Sequence, residues 1–432
     1  MEILMAPITA VLMGAGARGN AYAEFALRNP EALRIVAVAE PDVSRRERFA
    51  RNHDLADSQC FASWEDLLNS GKRADAAINA TMDGMHYEST LAVLSLGYEV
   101  LLEKPMSPVL AENVELIRAA EQQGRLLQVC HVLRYAPFFQ TLRQVVDSGV
   151  LGQIISMDLR ENLSFWHMAH SYVRGNWAST DRAAPMILAK CCHDLDILVW
   201  LLRRDVLWLN SFGALTHFTP ENAPRSDVPL RCTDGCPAAE TCKYEARRIY
   251  GTDASGGIYD VLTPVRTVDA RLQALEASPY GRCVYRCDNN VVDHQTVNMA
   301  FEDDITVTLI MNGQGFEEGR SLRIDGTKAT ITGKFSEPYK LNVYHHHPRR
   351  KEVVPVVVTE KSGHGGGDLR LVRGFVNALQ GVDDPSLTTA RVSLESHLLA
   401  FAAEESRLNH TVIEMSQYRQ QAESQSGGHG QR

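Results

Sequence analysis

No stretch of the 432-residue chain approaches the roughly 18 consecutive apolar residues that a membrane-spanning helix needs, so no membrane partner is expected. Positive charge is also short. Lysine and arginine total 44 against 53 aspartates and glutamates, a formal net charge of -9, which argues against a domain-wide basic field and a nucleic-acid partner. The N-terminus lacks a basic leader, and its apolar run reads as a strand rather than a signal peptide, so a cytoplasmic location is expected. The nine cysteines include no C-x2-C pair of the zinc-ribbon kind, and an odd number in a reducing compartment points to free thiols, a metal site or redox chemistry before structural disulfides. What is present is a hydrophobic share of 44%, enough for sizeable cores, on a chain long enough for two domains.

The chain is organised around its first strand and turn. Ile8 to Met13 is a short apolar run that ends in Gly14-x-Gly16-x-x-Gly19 and passes at once into a helical pattern. Gly14 permits the tight turn, Gly16 lets a pyrophosphate approach the backbone, and Gly19 lets helix and strand pack closely. The helix start, with Ala17 and Arg18, offers unpaired N–H groups and the positive end of the dipole to phosphates. A second strand, Arg34 to Ala39, ends at Glu40, about twenty residues beyond Gly19, where a carboxylate can hold ribose hydroxyls. Glu40 favours NAD because it repels a 2′-phosphate, while Arg45 and Arg46 keep NADP open.

Strand and helix alternate to about residue 130, which predicts a parallel sheet covered on both faces, with ligands at the carboxyl ends of its strands. Ser63 is the expected cap of one short helix, and Ser107-Pro108 the expected start of another running to Gly124. The strand ends carry Glu40, Thr81, Glu103-Lys104-Pro105 and His131. Lys104 follows an apolar strand, where desolvation would lower its pKa towards an acid–base range; Glu103 could oppose that shift or orient a nicotinamide. A surface Lys–Glu pair before a turn proline fits the same residues.

Taken together, these segments resemble the Gfo/Idh/MocA family of NAD(P)-dependent oxidoreductases. The likeness rests on Gly14 to Gly19, on Ala80-Thr81 followed by His86 (with Met82 at the usual proline), on Glu103-Lys104-Pro105 and on His193-x-x-Asp196, and it runs from about residue 8 to 410. It implies an α/β fold: a Rossmann doubly wound parallel sheet over residues 1–131, followed over 132–415 by an α+β domain with an open-faced, mostly antiparallel sheet used for substrate binding and oligomerisation. It also implies cofactor contacts from Gly14, Gly16, Ala17, Arg18, Gly19, Glu40, Thr81, His86, Glu103, Lys104 and His131. Lys104 would be catalytic, and His193 would bond the hydroxyl being oxidised. A homo-oligomer is implied as well.

The family aspartate four residues before His193 is here Ala189, with Lys190 beside it. Met186 to Leu202 is expected as one apolar helix, in which Lys190 and His193, three apart, share a face. Lys104 and His193 are then expected to share the proton work, Lys190 to contact substrate, and Asp194 or Asp196 to orient His193. Asp196 is also a candidate substrate contact. The stretch Phe165 to Trp177 is dense in aromatic and polar groups; its Trp177 suits the faces of a sugar, and His170, Arg174 and Asn176 can read hydroxyls or a carboxylate. A packed loop or dimer contact fits that stretch too. His364, in a glycine-rich loop, could close over substrate, and Asp368 could cap the helix that follows.

Residues 216–292 read as an insertion. Its Cys232, Cys236, Cys242, Cys283 and Cys287 are candidates for a structural zinc site, with an iron–sulfur cluster or free and disulfide-bonded thiols as alternatives. Residues 416–432 are expected to be a disordered tail. The activity expected is hydride transfer between NAD (or NADP) and a secondary alcohol of a sugar, cyclitol or related polyol. A redox-neutral NAD-dependent glycosidase or lyase and a non-catalytic NAD-binding sensor are the alternatives.

Overall fold

The computed structural model describes residues 6–254, 257–263 and 265–425. Strands β1 (Ile8–Met13), β2 (Leu33–Ala39), β3 (Cys60–Phe61), β4 (Ala76–Asn79), β5 (Glu99–Leu102) and β6 (Leu127–Val129) form a six-stranded sheet in the order β3-β2-β1-β4-β5-β6, parallel throughout. Val11, Leu12, Val100 and Leu101 are fully buried, as the apolar runs of a sheet covered on both faces require. The sequence order reverses at β1, so β1 and β4 flank the switch point, and the loops after β1, β2, β4, β5 and β6 open on one edge.

The turn after β1 depends on two close approaches. Gly14 has φ +89°, and a Cβ there would lie 2.4 Å from the Ala80 carbonyl oxygen. A Cβ on Gly19 would lie 2.0 Å from the Gly14 oxygen. The helix Ala17–Arg28 therefore sits against its own turn at a distance only glycine allows.

The second sheet has nine strands: β7 (Ile154–Ser164), β8 (Val206–Ala214), β9 (His294–Phe301), β10 (Thr306–Gly315), β11 (Gly319–Gly326), β12 (Ala329–Phe335), β13 (Lys340–His345), β14 (Arg350–Val353) and β15 (Ile413–Glu414). Their order is β14-β13-β12-β11-β7-β10-β9-β8-β15, antiparallel except for β7 with β10. Burial alternates along β9, β10 and β11, so one face packs on helices and the other is open. The helix Ala390–Asn409 crosses beneath β8 and reaches back to the first sheet: its Ser406 hydroxyl accepts the Ser211 N–H at 2.9 Å, and its His397 Nε2 accepts the Met106 N–H at 3.1 Å.

Three expected elements differ. The helix after Ser107-Pro108 begins at Leu110, because the Ser107 hydroxyl closes a local turn on the Val109 N–H at 3.0 Å. The apolar run from Met186 is two helices, Met186–Ala189 and Cys192–Leu202, broken at Lys190 and Cys191. The tail begins as a helix, Met415–Gln425, with Met415 fully buried; residues 426–432 lie outside the described residues. Between β8 and β9 the insertion folds around its own small core of Cys232, Ala246, Tyr250, Leu275 and Tyr280. Among the described residues no helix is long and apolar enough to cross a membrane.

The Gly19 contact gives a first expectation. Gly19→Ala should cost about 1–3 kcal/mol through overpacking against the Gly14 carbonyl, read as a lower calorimetric Tm. An unchanged Tm would show that the turn can yield at no cost.

Candidate active site

The turn after β1 presents an open surface. No side chain caps the helix Ala17–Arg28 at Gly16, and a Cβ at Gly16 would meet nothing within 4 Å. Its first-turn N–H groups therefore face free space, as a pyrophosphate would need. The Glu40 carboxylate, at the end of β2, accepts the Ala15 N–H at 2.7 Å and the Asp42 N–H at 3.0 Å. These bonds fix it beside the turn with acceptor capacity left for ribose hydroxyls. The residues present thus fit a dinucleotide.

The loop after β5 is held from several sides. Glu103 accepts the Tyr22 hydroxyl and lies 3.5 Å from Arg18 Nε. Arg18 in turn forms a bidentate pair with Asp368, both bonds at 2.9 Å, and Asp368 bonds His364 Nδ1 at 2.8 Å. Burial opposes the charge on Asp368, but the Arg18 guanidinium and His364 hold its carboxyl well below the usual range. A continuous chain of polar contacts thus joins the glycine turn, the β5 loop and the glycine-rich segment at 363–367. His364 adopts φ +53° within that segment, a left-handed turn that directs its imidazole towards Asp368. On the other side, His86 Nδ1 lies 2.7 Å from the Pro105 carbonyl oxygen and Nε2 3.2 Å from that of Thr81. His86 is fully buried and so braces the Thr81 and Lys104 loops against each other.

Lys104 Nζ donates to the Ala189 carbonyl oxygen at 2.7 Å. That carbonyl is free because the helix breaks there: Asp194 and Leu195 N–H both bond Cys191 O, and the next helix starts at Cys192. His193 follows within one turn. It is buried, its Nδ1 has no hydrogen-bond partner, and its ring centroid lies 5.6 Å from that of His131 and 5.8 Å from that of His364. Burial first, then the charge of Lys104 and the neighbouring histidines, push its pKa well below the ordinary imidazole value. His193 is therefore neutral at physiological pH, with a ring nitrogen to spare. His131 is fully buried between His193 and His397, with Nε2 3.3 Å from the Ser396 hydroxyl. It backs the site rather than facing the turn after β1.

Several expected substrate contacts are engaged elsewhere. Asp196 is 1% exposed and accepts two bonds from Arg134, at 2.7 and 2.6 Å, so it anchors its helix to the segment after β6. Asp194 pairs in the same way with Arg320, at 2.6 and 3.1 Å, and neither carboxylate is hydrogen-bonded to His193. Lys190 Nζ lies 3.2 Å from Glu161, which also meets Arg320 at 2.9 Å. His170 bonds the Tyr250 hydroxyl at 2.7 Å and stacks on Tyr280 at 4.5 Å, so it holds the insertion. Arg174 bonds the Arg282 and Tyr244 carbonyls, each at 2.7 Å. Trp177 and Asn176 do reach the β4 loop: Trp177 Nε1 donates to Asp83 at 3.0 Å, and the Asn176 amide lies 3.9 Å from Met82 Sδ.

The expected zinc site is corrected. Among the described residues no three His, Cys, Asp or Glu side chains are arranged to hold a metal ion, and all nine cysteines are free. Cys232, Cys236, Cys242 and Cys283 line one small cavity of about 10 Å³ in the insertion. Burial pushes the thiol pKa up at Cys242 and Cys287, and to about 11 at Cys283. They pack as small apolar groups.

Sequence reading passed over Tyr22, Asp83, Glu161, Arg320 and His397. Tyr22 shares a helical face with Arg18, four residues before it, which was an available signal. The other four meet the site only through tertiary contacts.

Comparison with known proteins agrees with this geometry. Residues 8–131 match the model of the oxidoreductase family with an NAD-binding Rossmann fold, and residues 143–415 match that of the family's C-terminal alpha/beta domain. The chain belongs to the Gfo/Idh/MocA family, and is an NAD(P)-dependent oxidoreductase. Among curated relatives, a Bacillus subtilis protein named only as an oxidoreductase is 23% identical over 71% of this chain and 72% of its own length. The inositol 2-dehydrogenase of Ralstonia nicotianae is 30% identical over 45% of this chain, and the match spans 54% of that enzyme. An inositol dehydrogenase homolog complexed with NAD+ from Azotobacter vinelandii shares the fold, with TM-score 0.69 at 16% identity over 95% of this chain and 98% of that one.

The buried imidazoles make stability depend on pH. His131 is pushed down to about 4, and His170 and His397 to about 3, by burial. Unfolded, each titrates near the ordinary 6.5, so below that pH the unfolded chain binds protons the folded one refuses. Stability should be intact above about pH 6.5 and fall towards pH 4, by about 2 kcal/mol per histidine between pH 6.5 and 5. Urea midpoints should drop across that window, and less steeply in His397→Gln. A flat profile would show that these rings are protonated in the fold.

Proposed function

We propose that the protein moves hydride between NAD and a secondary alcohol carbon of a polyol, cyclitol or sugar. The observation that carries this reading is the placement of Lys104, held on the Ala189 carbonyl, beside a His193 that is held neutral by burial and by the Lys104 charge. The inositol 2-dehydrogenase relative favours a polyol over other alcohols.

In this reading the first-turn N–H groups of Ala17 and Arg18 take the pyrophosphate and Glu40 the ribose hydroxyls. Glu40 makes NAD the preferred cofactor, since its buried carboxylate opposes a 2′-phosphate. Glu103, fixed by Tyr22 and Arg18, orients the nicotinamide end, and the nicotinamide, when bound, accepts the hydride. His193 takes the hydroxyl proton as the carbonyl forms. The Lys104 ammonium stabilises the negative charge that develops on that oxygen, a role its fixed position on a carbonyl suits. Lys190 remains the candidate substrate cation, with Glu161 setting its position. We take residues 1–131 as the cofactor unit and 132–415 as the substrate unit, with 216–292 inserted in it.

Lys104→Met and His193→Ala should each lower kcat/KM for polyol oxidation by about 10²–10⁴-fold, followed by the absorbance of reduced nicotinamide, while NAD affinity by calorimetry changes little. Near-normal turnover in both variants would reject the assignment. Release of a free aglycone without net NADH would replace it by the redox-neutral lyase.

A homo-oligomer through the open face of the second sheet is part of this proposal. Trp208 and Phe212 of β8 are exposed there by 49% and 59%. Sedimentation should report a dimer or larger species at micromolar concentration, and a strictly monomeric chain would reject this assembly.

A further inference from the structure

A second cavity, of about 460 Å³, opens beside the cleft between the β4 loop and the insertion. Its lining includes Met82, Asn176 and four arginines, Arg174, Arg182, Arg231 and Arg282. Met82 follows Thr81, so the cavity adjoins the loop assigned above to the cofactor.

The arginines are built into place. Arg231 and Arg282 face each other across an antiparallel bridge, fixed by Cys232 N–H to Gly281 O and Cys283 N–H to Leu230 O, each at 2.8 Å. The Arg231 guanidinium is held by the Leu275 and Ser278 carbonyls. Arg174 is 1% exposed and bonds Arg282 O, Tyr244 O and, at 3.6 Å, Cys232 Sγ. The acidic partner nearby is Asp288, shared between Arg182 at 2.6 Å and Arg282 at 2.7 Å. Arg174 and Arg231 form no ion pair among the described residues.

Three of these arginines also keep a buried donor with no partner: Arg174 Nη1, Arg231 Nε and Arg282 Nε. These nitrogens are shut off from solvent, so what the cavity offers a ligand is the exposed edge of the guanidinium groups, half open at Arg182 and about a quarter open at Arg282. Planar guanidinium forks match phosphate oxygens with paired, charge-assisted hydrogen bonds. A neutral polyol offers nothing that uses so much positive charge.

We infer that this cavity binds a phosphate or diphosphate group carried by the substrate, so that the alcohol oxidised at Lys104 and His193 belongs to a phosphorylated sugar or polyol. The inference rests on the oxidoreductase reading and extends it to the substrate class. The insertion then acts as a specificity element, supplying Arg231 and Arg282 from one bridged turn. The same phosphate chemistry could come from the cofactor, and the test separates the two sources.

The experiment titrates inorganic pyrophosphate into the NAD-loaded protein by calorimetry, for wild type, Arg231→Gln and Arg182→Ala. Arg182 is half exposed, so its variant keeps the proposal testable if Arg231→Gln unfolds. Saturable binding is expected, weakened about tenfold or more in Arg231→Gln and several-fold in Arg182→Ala, with NAD affinity held within about twofold. A matching rise in KM for phosphorylated substrates would accompany it. No saturable binding to wild type, or equal binding in all three proteins, overturns the site. Displacement of NAD by pyrophosphate, with NAD affinity falling in both variants, assigns the arginines to the cofactor and overturns the substrate role. Turnover of unphosphorylated polyols with no pyrophosphate binding leaves the oxidoreductase reading standing without this site. Pyrophosphate binding with no hydride transfer from any alcohol removes the oxidoreductase reading, and the substrate role with it.

Discussion

A backbone carbonyl holds the Lys104 ammonium, and much of the site follows from that contact. For the Ala189 oxygen to be free, the apolar run from Met186 must break at Lys190 and Cys191. The break turns the next helix so that His193 enters the cleft within its first turn, while Asp194 and Asp196 point into the protein, towards Arg320 and Arg134. A carboxylate at position 189 would have supplied a negative charge beside Lys104. A carbonyl supplies only a dipole, so the ammonium keeps its full field, and that field helps to hold His193 neutral.

Charge in the surrounding shell is arranged accordingly. Glu161, Asp194 and Asp196 are buried and each is matched by an arginine or lysine. Removing one partner of such a pair leaves an uncompensated buried charge, at a cost of about 3–5 kcal/mol. The pairs therefore serve position: they fix the His193 helix to β7, β11 and the segment after β6. The chain from Tyr22 and Arg18 through Glu103 and Asp368 to His364 does the same across the cofactor side, linking the glycine turn to a segment some 350 residues later.

How much of this was legible in the sequence depends on how local each cause is. The first sheet was readable because each strand is a short apolar run and the glycine turn explains itself by local sterics, through the positive φ of Gly14 and the contact of Gly19 with the Gly14 carbonyl. Glu40, Lys104 and His193 could be picked out because they end strands or interrupt an apolar helix. The break at Lys190 could not, because Ile187, Leu188, Ile197 and Leu198 keep helical spacing through it, and the carbonyl it frees is taken by Lys104, more than eighty residues away. His397 was hidden for the same reason: it acts on the Met106 N–H from a helix near the other end of the chain.

The insertion shows the opposite error, where a local pattern suggested more than it carried. Thiols at short spacing in a core-poor segment fit a metal site, but the same spacing also brings small apolar side chains together around one void. Which outcome holds is a matter of geometry, and among the described residues no three such side chains are arranged to hold a metal ion. Burial pushes the thiol pKa up at Cys242 and Cys283, with the Arg174 charge acting the other way. Arg174 bonds Cys232 Sγ and two carbonyls, and through them the sulfur cluster becomes the floor on which the arginine cavity is built. A cysteine pattern that looks like chemistry is then packing, and the chemistry lies with the guanidinium groups it supports.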